Sequence, residues 1–227
     1  MRRMCGRFKL AKAPAEVQKL FQLYTLLDFL QPLYNIAPFQ QVPAATLNAD
    51  GITRQLRMYR WGLTRSWATD AKTNPRPINA RSEGIAKKPM FSQLLKSNRR
   101  CLFVADGFFE WMRDQPGKHP NYFHFRDSRS FAMAGLWDAW GSEEPVYSAC
   151  ILTTEANEVV RPLHDRMPVI LSPDDHEAWL SPDSKVEDIL PLLRPLTSEG
   201  FEGFEVRTLV NKVANAGPEL IEPLSSV

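Results

Sequence analysis

The stretch VPAATLNADGITRQLRMYRWG, residues 42–62, decides the fold class. Two apolar runs flank a turn over residues 48–51, and this arrangement predicts an antiparallel hairpin. Three further stretches have the apolar and aromatic composition of strands. They are RCLFVADGFFEWM (100–112), NYFHFRDSRSFAMAGLW (121–137), read as a second hairpin that turns near Asp127 and Ser128, and VYSACILTT (146–154).

Helical spacing of apolar residues marks five segments between these strands. In residues 14–30, Pro14 suits the first turn of a helix, and the apolar positions from Val17 to Leu27 share one face. The other predicted helices cover 88–99, 155–163, 172–180 with Ser172 as N-cap, and 185–194 with a break at Pro191. Many strands, joined mostly by hairpins, with helices in between, predict the α+β class.

The composition is that of a globular chain of one domain. Its 227 residues are 44% hydrophobic and 24% charged, and they contain no repeat or long linker, so we expect a single domain over residues 1–227. No apolar run reaches the roughly 20 residues of a membrane span, and no secretory signal is present. We therefore expect a cytoplasmic protein without a membrane partner.

Cysteine and histidine usage argues against disulfides and metal. The three cysteines, Cys5, Cys101 and Cys150, are an odd number without paired spacing, which favours a reducing compartment. The four histidines form no metal-ligand pattern with them, so we expect no metal and no cofactor.

Charge is distributed unevenly along the chain. Residues 1–101 hold 18 Lys and Arg against 5 Asp and Glu, a net charge of +13, whereas residues 102–227 hold 10 against 21, a net charge of −11. This asymmetry is consistent with a face that binds a polyanion. The alternative is that the two halves pair with each other in the fold.

Three short stretches place polar groups inside otherwise apolar sequence. PINARSEG puts Asn79, Arg81 and Glu83 on one face of an extended segment, and GFFEWM sets Glu110 between Phe109 and Trp111. RPLHDRMPVIL sets His164, Asp165 and Arg166 before an apolar strand. An inward-facing Glu110 would be a candidate general acid, and His164 a candidate acid–base group beside an anion site.

Each stretch also has a structural explanation. Arg81 and Glu83 would form a salt bridge, Glu110 would lie on the solvated face of an edge strand, and His164 with Asp165 would cap a turn. Cys5 would likewise be an ordinary buried cysteine near the chain terminus.

Taken in order, seven motifs resemble the SOS-response-associated peptidase (SRAP) family, the abasic-site processing proteins. They are MCGRF, YNIAP, WGL, INARSE, ADGFFEW, HDRMPVIL and the C-terminal NAGPELIEP, and they span essentially the whole chain. The resemblance implies a single α+β domain with a curved, barrel-like, mainly antiparallel sheet and peripheral helices. It also implies that a cysteine, made N-terminal by methionine removal, reacts covalently with abasic sites in single-stranded DNA.

The resemblance assigns roles to nine residues. Cys5 would be the nucleophile, Asn79 its positioning partner, and Glu110 and His164 the acid–base pair. Arg7, Arg81 and Arg166 match phosphate-contacting arginines, and Asn35 and Trp67 would be further DNA contacts. The family's aromatic-rich segment after WGL is thinner in this chain, where TRSWATD offers only Trp67. The expected partner is single-stranded DNA with abasic sites, bound by a monomer.

The chemistry explains why Cys5 would have to be the first residue. An α-amine with a pKa of about 8 is about a tenth neutral at pH 7, so it can attack the aldehyde of an abasic site and form a Schiff base. The neighbouring thiol can then close a thiazolidine. Met1-Arg2-Arg3 precedes the expected start, so we expect residues 1–4 to be an extension or a removed segment.

Two other functions compete with this hypothesis. An N-terminal nucleophile hydrolase or peptidase would also use Cys5, but INARSE, FFEW and HDR have no evident role in that chemistry. A nucleic-acid-binding module without catalysis would explain the charge asymmetry, but not a Glu110–His164 acid–base pair.

Overall fold

The fold is built mostly from strands. A computed structural model describes residues 6–23, 30–48, 50–69, 75–113 and 118–224. The strands are β1 Arg7–Leu10, β2 Leu33–Ile36, β3 Gln41–Leu47, β4 Arg54–Trp61, β5 Asn79–Arg81, β6 Arg100–Ala105, β7 Gly107–Arg113, β8 Lys118–Phe125, β9 Phe131–Trp140, β10 Val146–Glu155, β11 Arg166–Pro168, β12 Ile170–Leu171 and β13 Phe201–Glu205. The helices are α1 Pro14–Phe21, α2 Pro89–Lys96, α3 Asp175–Leu180 and α4 Val186–Ile189, with short 3₁₀ turns at Ile85–Lys87, Leu190–Leu192, Thr208–Asn211 and Pro218–Ile221.

Five strands close into a barrel. β10, β4, β3, β6 and β9 follow one another around it, and β9 pairs with β10 to complete the ring. Every pairing in the ring is antiparallel except β10 with β4, which is parallel. β5 and β11 extend the sheet along β10, and β12 along β9. The α+β class and the barrel-like, mainly antiparallel sheet are confirmed.

A second sheet of five strands, in the order β13-β8-β7-β1-β2, packs on the barrel. Phe8 of β1 contacts Trp61 and Phe103 of the barrel, with ring centroids 5.2 and 6.3 Å apart. The large hydrophobic core includes Phe8 and Phe108 on one face of this sheet. A smaller cluster on the other face includes Phe109 and Tyr122.

The predicted strand over 100–112 is two strands in different sheets. β6 belongs to the barrel and β7 to the second sheet, and Asp106 lies between them. The buried carboxylate of Asp106 accepts hydrogen bonds from the Lys9 side chain and from the backbone N–H groups of Ala11 and Lys12. Its other oxygen accepts from the Ser130 hydroxyl at 2.6 Å. A buried charge needs such partners, and they fix the crossing between the sheets.

The predicted hairpin over 121–137 is wrong, although both strands exist. β8 pairs with β7 and β13, whereas β9 pairs with β6, β10 and β12. The chain does turn where expected, since Ser128 is left-handed at φ 57° and its N–H donates to the Phe125 carbonyl. The turn carries the chain from one sheet to the other. The hairpin over 42–62 is confirmed by β3 and β4.

Four of the five predicted helices occur near their predicted positions, but their lengths differ from the prediction. α1 begins at Pro14 and ends at Phe21, because Gln22 is left-handed at φ 52°; Tyr24 and Leu27 lie outside the described residues. α2 and α4 are confirmed, and a 3₁₀ turn replaces the α-helix at Pro191. α3 starts after Asp174, so Ser172 is not its N-cap. No described helix is both long and apolar enough to cross a membrane.

The helix predicted over 155–163 is absent and two successive turns take its place. The Asn157 side chain accepts from the Val160 N–H, and Arg161 donates to the Asn157 carbonyl. Pro162 lacks the N–H group that would continue this ladder. A second turn follows, in which the Leu163 and His164 N–H groups donate to the Val160 carbonyl, and it leads to His164 just before β11.

Candidate active site

Several of the predicted site residues lie on strands that pair with the C-terminal half of β10. β5 lies parallel to β10, with Asn79 opposite Ile151 and Arg81 opposite Thr153. β11 lies on the other side, with Arg166 opposite Glu155. Residues that are far apart in sequence thus meet around one strand, because β10 is paired on both sides.

An ion pair between Arg166 and Glu83 joins β11 to the segment that follows β5. Both terminal nitrogens of Arg166 contact the Glu83 carboxylate, at 2.6 and 2.8 Å, and Nη2 also donates to the Thr153 carbonyl at 2.6 Å. Arg166 is only 8% exposed. Burial is the largest single influence and would raise the pKa of Glu83, but the hydrogen bond and charge of Arg166, a backbone hydrogen bond and the charge of Lys88 together hold the pKa below its usual value. The guanidinium is therefore engaged inside the protein, whereas Arg81 is exposed.

This pairing differs from the structural explanation offered for INARSE. The carboxylate of Glu83 binds Arg166, not Arg81, in a bidentate ion pair. Sequence reasoning gave Glu83 no role of its own. The spacing of alternating polar residues in INARSE was the available signal, but the partner lies 83 residues away in the chain.

His164 is held at the start of β11 and is 6% exposed. Its Nδ1 accepts a hydrogen bond from the Arg166 N–H at 3.0 Å, which places the proton of a neutral ring on Nε2. The Asp165 carboxylate lies 2.9 Å from the same Nδ1 and can accept from it when the ring is protonated. Nδ1 thus has a partner in either protonation state of the ring.

Glu110 lies on β7, which is an inner strand paired with both β1 and β8. The explanation that Glu110 sits on the solvated face of an edge strand is therefore wrong, and its side chain is 4% exposed. Since alternate residues of a strand share a face, Glu110 lies on the side of Phe108, toward the barrel. This places a buried carboxyl group at the junction of the two sheets.

Cys5 lies outside the described residues, but its neighbour Gly6 directly precedes β1. Arg7 lies opposite Phe109 and Phe8 opposite Phe108. Continuing this antiparallel register by one residue beyond β1 would set Gly6 opposite Glu110. Phe8, on the same face, contacts Trp61, whose indole N–H donates to the Ile78 carbonyl at 2.8 Å. Ile78 precedes Asn79, so the start of β1 is linked through one aromatic contact to the start of β5.

Arg7 and Asn35, both predicted DNA contacts, are bonded to the C-terminal segment 208–215. Arg7 Nη1 donates to Asn35 Oδ1 at 2.8 Å and to the Val210 carbonyl at 2.7 Å. The Asn35 amide donates to the carbonyls of Val210, Lys212 and Asn215. Burial lowers the pKa of Arg7. These bonds favour a structural role, and the DNA contacts stay a prediction.

Trp67 is 59% exposed on a loop that is firmly anchored. The buried carboxylate of Asp138 binds Arg65 at 2.5 Å, the Ser66 N–H at 2.8 Å, and Arg99. Sequence reasoning missed Asp138, whose only signal was a lone charge in the apolar strand β9. A rigid loop with an exposed indole is suited to stacking on a nucleobase.

No group of metal-ligating residues occurs among the residues that the structure describes. The residues that the sequence predicts for the site are a carboxyl group, an imidazole, an amide and arginines. Such groups are suited to acid–base chemistry beside an anionic substrate.

Comparisons of the sequence with known proteins agree on one family. The family described as SOS response associated peptidase (SRAP) matches residues 4–213. Abasic site processing protein YoqW of Bacillus subtilis is 40% identical over 96% of this chain and 99% of its own length. Abasic site processing protein HMCES of Xenopus tropicalis is 30% identical over 95% of this chain and 77% of its own. A crystal structure of a Bacteroides thetaiotaomicron protein has the same fold, with a TM-score of 0.84 at 24% identity, over 97% of this chain and 100% of the other.

Proposed function

Because the chain belongs to the SOS response associated peptidase family, we propose that it processes abasic sites in DNA by crosslinking to them through Cys5. The observation that carries this proposal is the β1–β7 register, which leads the chain start to the buried Glu110. Cys5 is bonded to Gly6, so its Cα lies about 3.8 Å from that of Gly6. We infer from this register that an α-amine on Cys5 acts beside the Glu110 carboxyl group.

The proposed reaction has two bond-forming steps. The neutral α-amine of Cys5 attacks C1′ of the opened sugar, and water leaves to give a Schiff base. The thiol then adds its sulfur to the imine carbon and its proton goes to the nitrogen, which closes a thiazolidine ring. The two groups stand on one residue, and such proximity lowers the barrier by up to about 7–11 kcal/mol.

Glu110 and His164 carry out different proton transfers. Glu110 protonates the ring oxygen of the sugar as the ring opens, and His164 carries the proton through Nε2 in the ring-opening and reverse steps. Asn79 orients the reacting groups. Arg81 contacts a phosphate, and Trp67 stacks on a base next to the lesion. A single strand is the proposed substrate because its sugar is accessible without unpairing.

The test is a crosslinking assay on protein whose N-terminus is verified as Cys5 by mass spectrometry. Without reductant, the wild type should form a heat-stable adduct with abasic, but not intact, single-stranded DNA. Cys5→Ala keeps the α-amine and loses the thiol, so it should form an adduct only when borohydride traps the Schiff base. Cys150→Ala, which removes a buried thiol, serves as control and should react like the wild type.

A protein that retains Met1 through Met4 tests the amine directly. Its Cys5 nitrogen lies in a peptide bond, so both the heat-stable adduct and the borohydride-trapped adduct at Cys5 should be lost. Strong crosslinking by this longer form, or equal heat-stable yields from wild type and Cys5→Ala, would contradict the thiazolidine and favour a simple thiol nucleophile.

A further inference from the structure

Phe39 is an exposed aromatic residue in an unusual backbone conformation. It lies between β2 and β3, is 46% exposed, and has a φ of +69°. Bulky residues rarely adopt this left-handed region, and such positions concentrate at functional sites. Its N–H donates to the Trp61 carbonyl at 2.7 Å, which ties this conformation to the barrel.

The Phe39 ring lies against the backbone of Gly62. A Cβ at Gly62 would come within 2.9 Å of two ring carbons of Phe39, so the ring in this position packs directly on the glycine backbone. Gly62 also has a φ of +140°, which side chains rarely adopt. The ring is thus positioned by its own backbone and by the glycine below it.

Arg76 stacks on the same ring. Its guanidinium carbon lies 5.0 Å from the centroid of the Phe39 ring. Within the described ranges, no carboxylate forms an ion pair with Arg76. A comparable pair elsewhere, Arg129 over Phe125 at 3.9 Å, has Asp127 as an ion-pair partner at 3.3 Å. Arg76 therefore presents a flat cation on an aromatic base.

The position of this pair relates it to the candidate active site. Leu63 donates to the Pro77 carbonyl at 3.0 Å, and Trp61 donates to Ile78, so the segment after Arg76 is fixed to the barrel. Arg76 precedes Asn79 by three residues, a span of at most about 10 Å. A strand bound at Asn79 would reach Arg76 within one to a few nucleotides.

We propose that Phe39 and Arg76 form a stacking platform that binds a nucleobase of the DNA strand beside the abasic site. This inference rests on the proposed function, because it takes single-stranded DNA as the ligand. Nucleobases stack on aromatic rings and on guanidinium planes, and each stacked base contributes about 5-fold to 100-fold in affinity. The platform lies apart from Trp67 in the sequence, and its aromatic member is supplied by the loop after YNIAP.

Phe39→Gly is the decisive variant. Glycine suits the left-handed backbone, so the melting temperature should stay the same or rise, while affinity for intact single-stranded DNA should fall at least 5-fold. Arg76→Ala should cause a similar loss. Arg129→Ala, which removes a stacked arginine from another surface, is the matched control and should leave affinity unchanged. Fluorescence anisotropy measures all four proteins.

A base-specific signal separates stacking from simple charge. With 2-aminopurine placed at successive positions of the strand, one position should be quenched by the wild type and not by Phe39→Gly. Unchanged affinity and quenching in Phe39→Gly would overturn the platform, as would an equal loss in Arg129→Ala. A loss in Arg76→Ala that Arg76→Lys restores, with Phe39→Gly unaffected, would also overturn it in favour of a phosphate contact.

The crosslinking yield of the wild type is read in the same samples. If the wild type forms no adduct while Phe39→Gly still weakens binding and removes the quenching, the crosslinking proposal fails and the platform stands. If the wild type crosslinks and Phe39→Gly binds normally, the platform fails and the crosslinking proposal stands.

Discussion

Glu110 is a carboxyl group on an inner strand with almost no exposure to water. Glu110→Gln keeps its shape and one acceptor oxygen, which can still accept from the Trp111 N–H, but removes its acidic proton. We expect the rate of adduct formation at saturating DNA to fall by about 10²-fold or more, with binding of intact DNA unchanged. Single-turnover crosslinking and anisotropy measure the two quantities. Equal losses in both would mean that Glu110 only supports the fold.

His164 differs from Glu110 because its Nδ1 is committed to the Arg166 N–H and to Asp165. His164→Ala removes Nε2 as a proton carrier, so we expect both formation and reversal of the adduct to slow, the second measured by release of DNA into excess competitor. His124→Ala, a partly buried histidine on β8, is the control. Normal reversal in His164→Ala would remove His164 from the proton-transfer path.

The packing of α1 against α3 contains a histidine that is buried without charge. The His176 ring stacks on Phe21 with centroids 5.5 Å apart, and burial together with nearby Arg54 lowers its pKa to about 4. The unfolded chain would titrate near 6.5. Because the folded pKa is depressed, this stabilisation is complete above about pH 6.5 and is lost as the pH falls toward 4.

His176→Phe should therefore flatten the pH dependence of stability. The wild type should lose up to about 3 kcal/mol of unfolding free energy between pH 7 and pH 4 through this group, and the variant should not. Urea unfolding at several pH values measures the difference. If both proteins showed the same slope over this window, the histidine would not be the cause.

The amide side chain of Asn35 donates to three backbone carbonyls of the C-terminal segment 208–215. In Asn35→Ala, the Val210 carbonyl would keep Arg7 as a donor and the Lys212 carbonyl would keep the Asn215 N–H, but the Asn215 carbonyl would lose its donor. We expect a loss of about 1–3 kcal/mol in unfolding free energy and faster hydrogen exchange in the segment. Asn121→Ala on β8 is the control. A variant that kept its stability but lost affinity for DNA would instead support the direct contact implied by the family resemblance.

Across the whole molecule, ion pairs inside the fold neutralise part of the charge asymmetry between the two halves of the chain. Lys9 pairs with Asp106, Arg54 with Glu177, and Arg65 and Arg99 with Asp138, so the basic and acidic halves do bind each other. The barrel interleaves strands from both halves. The arginines that remain exposed are therefore those to test for binding a polyanion.

Arg81 and Arg166 should behave differently in such a test. Arg81→Ala removes an exposed charge, so the salt dependence of DNA binding should weaken by about one phosphate contact. Arg166→Ala leaves Glu83 without its partner and should lower stability more than it changes the salt slope. Equal changes in slope for the two variants would restore Arg166 as a phosphate contact.

Sequence patterns predicted where the strands lie better than which strands pair with each other. The turn in NADG and the run VYSACILTT identified β3, β4 and β10 because local propensity and periodicity suffice there. The split at Asp106 and the separation of β8 from β9 depend on which strand closes the barrel, which no local pattern encodes. For the same reason the sequence pointed to Glu110 and His164 but not to Asp138 or to the Arg166–Glu83 pair.

The pairing of β1 decides how the protein would bear a mechanical load. A pull at the first residues enters through β1, which is flanked by β2 and β7 with antiparallel hydrogen bonds on both sides. These bonds run perpendicular to the strand, so tension along it loads them together instead of opening them one by one. If the proposed crosslink forms, a motor enzyme that pulls on the attached DNA would have to shear β1 out of its sheet.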